Sequence, residues 1–114
     1  MITIYHNPRC RKSREALSLL EGEGKMPLVR LYLKDELSEQ ELVNLLNRLA
    51  IKPIDIIRTT EKIWKEQYKG KDLTDKEVIQ AILDNPILME RPIVEAGEKA
   101  VIGRPPERVL SILP

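Results

Sequence analysis

The first 33 residues carry the pattern that most restricts the fold of this chain. "MITIY" is short and rich in β-branched residues, and the breaker "NP" follows it, so it predicts a strand that ends in a loop. No breaker occurs from Cys10 to about Leu20, and an apolar stripe there predicts a helix that begins at or just before Cys10. "LVRLYL", residues 28–33, predicts a second strand. This order favours a parallel strand pair joined by a right-handed crossover.

Helical signals dominate the middle of the chain, from about residue 35 to residue 85. Ser38 with Glu41, and Thr74 with Glu77, have the spacing of capping boxes, and apolar residues follow each pair at helical intervals. Two shorter helices are predicted between them, one with Pro53 in its first turn and one capped by Thr60.

The pattern changes again near the end of the chain. "RPIVEAG" and "KAVIGRP" are short apolar runs around Gly97 and predict a β-hairpin, and "PPERVLSILP" predicts a closing helix. The element order is therefore β-α-β, then helices, then β-β-α. We expect an α/β fold with a mixed sheet and an all-helical insertion at about residues 35–85, in a single domain spanning 1–114.

Composition narrows the class of protein. The chain has 114 residues, of which 19 are basic and 18 acidic, and this balance argues against a general nucleic-acid-binding protein. No apolar stretch is long enough to span a membrane, and the N-terminus lacks the features of a signal peptide. One cysteine excludes an internal disulfide and sites built on cysteine pairs. A reducing cytoplasm is the expected location, where this thiol stays free.

Cys10 lies where a thiol is expected to ionise readily. A helix N-terminus offers unpaired N–H groups and the positive end of the helix dipole. Four basic residues surround the thiol, and His6, the only histidine, precedes it by four positions; the basic residues are Arg9, Arg11, Lys12 and Arg14. Basic residues in a first helical turn oppose the dipole preference, which indicates a functional demand. A buried, inert cysteine is the alternative.

Three distant arginines are further candidates. Arg91 and Arg104 each precede a proline, and the Arg91–Pro92 bond is a candidate cis peptide. Arg58 follows "IDII" and is equally suited to cap the C-terminus of a helix. Taken singly, Arg91 and Arg104 each suit an exposed surface position, and spacing alone does not bring the three arginines to Cys10.

The segments "ITIYHNPRCRKSR", "ILMERPIV" and "GRPPERVLSILP" resemble the glutaredoxin-linked arsenate reductase family, of the ArsC type, in register over nearly the whole chain. The resemblance implies a thioredoxin-like fold with Pro92 as the cis-proline beside the active cysteine. It implies Cys10 as the nucleophile and His6 as a residue that helps to keep it ionised. It also implies that Arg58, Arg91 and Arg104 hold the oxyanion, and Ser13 and Arg14 match family positions in the loop–helix segment.

The resemblance further implies a reaction and its partners. Arsenate is expected to be reduced to arsenite through a covalent thioarsenate on Cys10, with glutathione as co-substrate and glutaredoxin as electron donor. No bound cofactor, metal, nucleic acid or membrane is expected, and the protein is expected to be a monomer.

Two other functions remain open at this level. Arg11-Lys12 stands where the best-characterised arsenate reductases have Gly-Thr, which favours a glutathione-dependent thiol oxidoreductase with another substrate. A non-enzymatic, redox-responsive regulator that binds RNA polymerase is the second alternative. Its relatives carry a CxxC switch, whereas position 13 of this chain is Ser.

Overall fold

A computed structural model describes all 114 residues, and the chain divides into two compact units. Residues 1–35 and 91–114 form the first unit, and residues 36–90 form the second. The second unit is thus an insertion in the sequence of the first.

The first unit is built on a four-stranded mixed sheet. Its strands are β1 (Ile2–Tyr5), β2 (Leu28–Arg30), β3 (Ile93–Ala96) and β4 (Lys99–Ile102). The spatial order is β2-β1-β3-β4, with β1 and β2 parallel and the other neighbouring pairs antiparallel. The predicted parallel pair and the C-terminal hairpin are both confirmed.

Four chain segments leave the sheet at one edge because of this strand order. Tyr5 pairs with Arg30 on one side and with Ile93 on the other, and Ile93 pairs with Ile102. The loop after β1, the turn after β2, the segment before β3 and the segment after β4 therefore start side by side. This edge holds the carboxyl ends of the parallel strands, where open α/β sheets bind ligands.

The predicted helix α1 (Arg11–Gly22) starts directly after Cys10, about one residue later than predicted, and packs on the sheet. The core is aliphatic: Ala16 and Leu20 of the helix meet side chains of three strands and of the last helical segment, namely Ile4, Val94, Val101 and Val109. Burial of this shared surface fixes the start of α1 relative to the sheet edge.

Gly103 is the point where the chain passes closest to its neighbours. A Cβ atom added there would lie 2.9 Å from the Pro92 side chain and 2.9 Å from that of Val109, both buried. The Gly103 N–H also donates to the Pro92 carbonyl oxygen at 2.8 Å. A glycine therefore lets the segment before β3 and the segment after β4 lie in contact.

A Gly103→Ala variant is expected to lose about 1–3 kcal/mol of unfolding free energy, because the added methyl group overpacks a filled site. Urea unfolding measures the loss, and Gly22→Ala is the matched control, since a Cβ at Gly22 meets nothing within 4 Å. Equal stability of the Gly103 variant and the wild type would contradict the close packing described here.

The second unit is helical. It contains α2 (Glu39–Leu49), α3 (Lys62–Gln67) and α4 (Asp75–Asp84), with 3₁₀ helices at Pro53–Ile56 and Pro86–Leu88. Both predicted capping boxes are present at the starts of α2 and α4. Leucines of α2 and aliphatic side chains of α4 are buried. Trp64 of α3 is also buried and stacks on Tyr68.

Three local predictions need correction. The strand β2 ends at Arg30 rather than at residue 33, because its partner β1 ends at Tyr5 and the chain then turns. Thr60 does not cap α3; Glu61 takes the N-cap position, without a side-chain hydrogen bond. The closing helix, Pro106–Ile112, is 3₁₀ in form.

Candidate active site

The loop that carries Cys10 is a tight turn after β1. The Cys10 N–H donates to the Asn7 carbonyl oxygen at 2.9 Å, and Pro8 occupies the second position of the turn. The Asn7 side-chain oxygen accepts from the Arg9 N–H at 3.0 Å. Proline at the second position fixes the φ angle that the turn requires. Asparagine is favoured at the first position because its side chain can accept such a hydrogen bond. "NPRC" therefore folds locally into the geometry that places Cys10 at the helix start.

A buried hydroxyl ties this loop to α1. Ser13 is fully buried, its Oγ lies 2.6 Å from His6 Nδ1, and it accepts from the Asn7 N–H at 3.0 Å. Burial, and next the positive charge of Arg14, hold the pKa of His6 below its ordinary value. The bond between the His6 ring and Ser13 ties the end of β1 to the first turn of α1.

Cys10 is the N-cap residue of α1, and its thiol is free and partly exposed. Arg104 Nη1 lies 3.8 Å from the sulfur and also donates to the Arg91 carbonyl oxygen at 2.9 Å. The structure thus brings Arg91 and Arg104 to the cysteine, which the spacing of the sequence did not establish. Both reach it because the segments before β3 and after β4 leave the sheet at the same edge as the Cys10 loop.

The surroundings of Cys10 favour the thiolate. Partial burial raises the pKa of the thiol, but the Ser13 backbone N–H and hydrogen bonds from Arg91 and Arg104 outweigh it. The Arg91 charge adds to them, and the pKa lies below its ordinary value. These donors are the third residue of the helix and two arginines of distant segments.

Two of the basic residues next to Cys10 in the sequence have other partners. Arg11 pairs with Glu15, and Arg14 donates to the Pro8 carbonyl oxygen.

The lowered pKa predicts a pH profile for thiol alkylation. Because only the thiolate reacts, the iodoacetamide rate stays high as the pH falls from alkaline values and drops at a midpoint below that of an unperturbed cysteine. Arg104→Gln is expected to move that midpoint upward, whereas Arg108→Gln, at an exposed position, leaves it in place. A wild-type midpoint at or above that of a model cysteine peptide would contradict the geometry.

The Arg91 side chain has N–H donors without hydrogen-bond partners. Its Nε and Nη1 are buried and make no hydrogen bond within the protein. Buried N–H donors without acceptors cost free energy, and buried polar groups are as a rule paired. Its planar, permanently charged head matches the geometry of an oxyanion. Unpaired donors beside a sulfur whose pKa is lowered indicate an anion-binding position.

Arg58 belongs to the other compact unit. Its guanidinium pairs there with Glu61 at 3.1 Å and with Glu90 at 3.5 Å, and its backbone N–H donates to the Leu88 carbonyl oxygen. Two carboxylates thus fix the orientation of this arginine within the helical unit.

Two features of the site escaped sequence analysis. The hydrogen bonds by which Asn7 stabilises the turn were not predicted, although the dipeptide "NP" indicates a turn at this point. The Arg104–Pro105 peptide is cis, as is the candidate Arg91–Pro92 peptide. Each of the two cis bonds follows an arginine that acts on the Cys10 thiol.

Comparison with known proteins decides the family. Residues 5–112 match the sequence model of the ArsC family. The chain belongs to the ArsC family. An arsenate reductase of Haemophilus influenzae is 45% identical, with 98% of each chain covered. The Escherichia coli protein YfgD, which is uncharacterized, is 47% identical, with 98% of this chain and 96% of its own covered.

The solved structures agree with this assignment. The structure of an arsenate reductase from Vibrio cholerae superposes with a TM-score of 0.94 at 43% identity, with 98% of this chain and 97% of that chain covered. This ArsC chain thus has the α/β fold of the family, as predicted. It contains no cluster of three or more side chains suited to hold a metal ion. None of its helices combines the length and apolar character needed to cross a lipid bilayer.

Proposed function

We propose that this protein reduces arsenate to arsenite, with Cys10 as the nucleophile. The observation that carries the proposal is the placement of one ionisable sulfur at a helix N-cap beside Arg104, at 3.8 Å, and Arg91, whose buried donors are unpaired. Membership of the ArsC family, with relatives named arsenate reductase, supports the same substrate.

The first step joins arsenic to the protein. The Cys10 thiolate attacks arsenate; a sulfur–arsenic bond forms, and one arsenic–oxygen bond breaks as that oxygen leaves as water after protonation. Arsenic remains As(V). Arg91 and Arg104 hold the remaining oxygens and stabilise their charge, because their donors are already in place before substrate arrives. Arg58 joins this set in the proposal, as the family pattern implies.

The reduction needs two thiols from outside, because the chain has one cysteine. Glutathione forms a second sulfur–arsenic bond, and its proton leaves with another arsenic-bound oxygen as water. A glutaredoxin thiolate then attacks the glutathione sulfur, and the electron pair of that sulfur–arsenic bond passes to arsenic. Two sulfurs are oxidised to a mixed disulfide while As(V) becomes As(III). Water releases arsenite and restores Cys10, and a second glutathione reduces the mixed disulfide.

The neighbouring residues have supporting roles in this mechanism. His6 is a positioning residue, since its ring bonds to Ser13, whose backbone N–H favours the thiolate. Arg14 favours the neutral form of His6 and donates to the Pro8 carbonyl oxygen of the loop. Arg11 pairs with Glu15 at 2.9 Å, one turn along the helix, and this pairing favours an open approach to Cys10.

The proposal includes the setting of the reaction. The protein acts as a monomeric, single-domain enzyme of the cytoplasm without a bound cofactor. A regulator that switches through a CxxC motif is disfavoured. Ser13 occupies the position of the second cysteine of that motif, and its hydroxyl is buried against His6 and Asn7.

Arsenic speciation tests the proposal directly. Purified protein, arsenate, glutathione and glutaredoxin are expected to yield arsenite, and omission of either thiol component is expected to stop turnover. Reduction of a model glutathione mixed disulfide, without arsenite formation from arsenate, would replace this function with that of a general thiol oxidoreductase.

A further inference from the structure

A cavity of about 340 Å³ lies beside the loop that carries Cys10. Its walls are residues 6–9 of that loop and, from the turn after β2, Leu31, Leu33 and Lys34. This volume lies at the lower end of the range of small-molecule sites, roughly 300–1,000 Å³. The mechanism above does not use this cavity.

The charge of the cavity is positive and uncompensated. Arg9 and Lys34 contribute its two cations, and neither side chain forms an ion pair or hydrogen bond within the protein. No carboxylate lines it, while Leu31 and Leu33 supply an apolar wall. Such a lining favours a small ligand that carries carboxylates on a partly apolar body.

A second cavity in the same unit lacks this charge preference. It has a volume of about 460 Å³ and lies between α1 and the closing 3₁₀ helix. Glu15 and Glu107 line it together with Arg11 and Arg14, and Arg11 is already paired with Glu15. Its balanced charges do not select an anion.

The position of the cationic cavity suits a reactant that approaches Cys10. Arg9 directly precedes Cys10, and the cavity lies on the β2 side of the loop. Arg91 and Arg104 come from the segments on the β3 and β4 side. The oxyanion-binding arginines and the cavity therefore lie on opposite sides of the Cys10 loop.

We propose that this cavity binds the small, carboxylate-bearing thiol that attacks the arsenic adduct on Cys10. The inference rests on the proposed function and adds to it a binding site for glutathione. Carboxylates of the thiol pair with Arg9 and Lys34, which orients its sulfur toward the adduct. In the step so assisted, a sulfur–arsenic bond forms, an arsenic–oxygen bond breaks, and the thiol proton leaves with that oxygen as water.

The kinetic test compares two double variants of equal charge. Arg9→Gln/Lys34→Gln removes both cavity cations, and Arg108→Gln/Lys99→Gln removes an exposed arginine and an exposed lysine of the same unit that line neither cavity. The cavity variant is expected to raise the KM for glutathione by roughly tenfold, the combined effect of two partly exposed ion pairs. Its KM for arsenate and its turnover with neutral 2-mercaptoethanol are expected to match the wild type.

Three results would overturn the site. They are an unchanged KM for glutathione in the cavity variant, an equal loss with 2-mercaptoethanol, and the same loss in the control pair. None of these results would contradict arsenate reduction by the wild type.

A binding titration separates this inference from the proposed function, since it needs no turnover. In the Cys10→Ser background, S-methylglutathione is expected to shift the backbone amide resonances of residues 6, 7 and 9 and of residues 31–34. Adding the two cavity substitutions is expected to weaken that binding by roughly tenfold. Shifts confined to other residues, or binding that ignores the substitutions, would refute the site even if the wild type reduces arsenate. If the wild type does not reduce arsenate, the same titration still shows whether the cavity binds S-methylglutathione.

Discussion

A Cys10→Ser variant is expected to lose arsenate reduction by roughly four orders of magnitude or more, while its fold becomes slightly more stable. Activity falls because a hydroxyl stays protonated at neutral pH, whereas the site lowers the pKa of a thiol. Stability rises because Cys10 is the N-cap of α1 and makes no side-chain capping bond. Serine is among the strongly preferred N-cap residues.

Arsenic speciation measures the loss of activity, and urea unfolding measures the change in stability. Cys10→Ala is the matched comparison, since it removes the nucleophile and offers no cap. We expect both variants to be inactive, with the serine variant more stable than the alanine variant by about 1 kcal/mol. Arsenite production by either variant at the wild-type rate would refute Cys10 as the nucleophile.

An Arg91→Met variant is expected to lower turnover by roughly 10²–10³-fold while the protein gains about 1 kcal/mol of unfolding free energy. Both effects have one origin. Arg91 keeps two buried donors without partners and helps to lower the pKa of the Cys10 thiol. Methionine fills similar space without a polar group, so the folded protein no longer contains the two unpaired donors, and the oxyanion loses them.

The two measurements on this variant are kinetic analysis with arsenate and urea unfolding. Arg108→Met, at an exposed position, is expected to change neither quantity appreciably. Arg91→Lys separates charge from geometry, since it keeps the charge but not the planar fork, and we expect intermediate activity. Full activity of Arg91→Met, or a loss of stability above about 3 kcal/mol, would show that the arginine is a structural residue.

The local parts of the site were predictable from sequence because short-range interactions decide them. "NP" after an apolar, β-branched run marks the turn that ends β1, and the absence of breakers after Cys10 places the helix start there. The two capping boxes formed as their spacing indicates, since each depends on bonds between residues three positions apart. The position of Cys10 close to the start of a helix follows from the sequence alone.

The convergence on the sulfur was decided by tertiary structure. Arg91 and Arg104 lie more than eighty positions from Cys10, and only antiparallel pairing of β3 with β1 and β4 brings their segments to the same edge. Partner strands also set the length of β2, which ends level with β1 although its apolar run continues. The sequence determined a thiol at the head of a helix. The tertiary structure decided which cations stabilise its anion, because sheet pairing depends on contacts that local spacing does not encode.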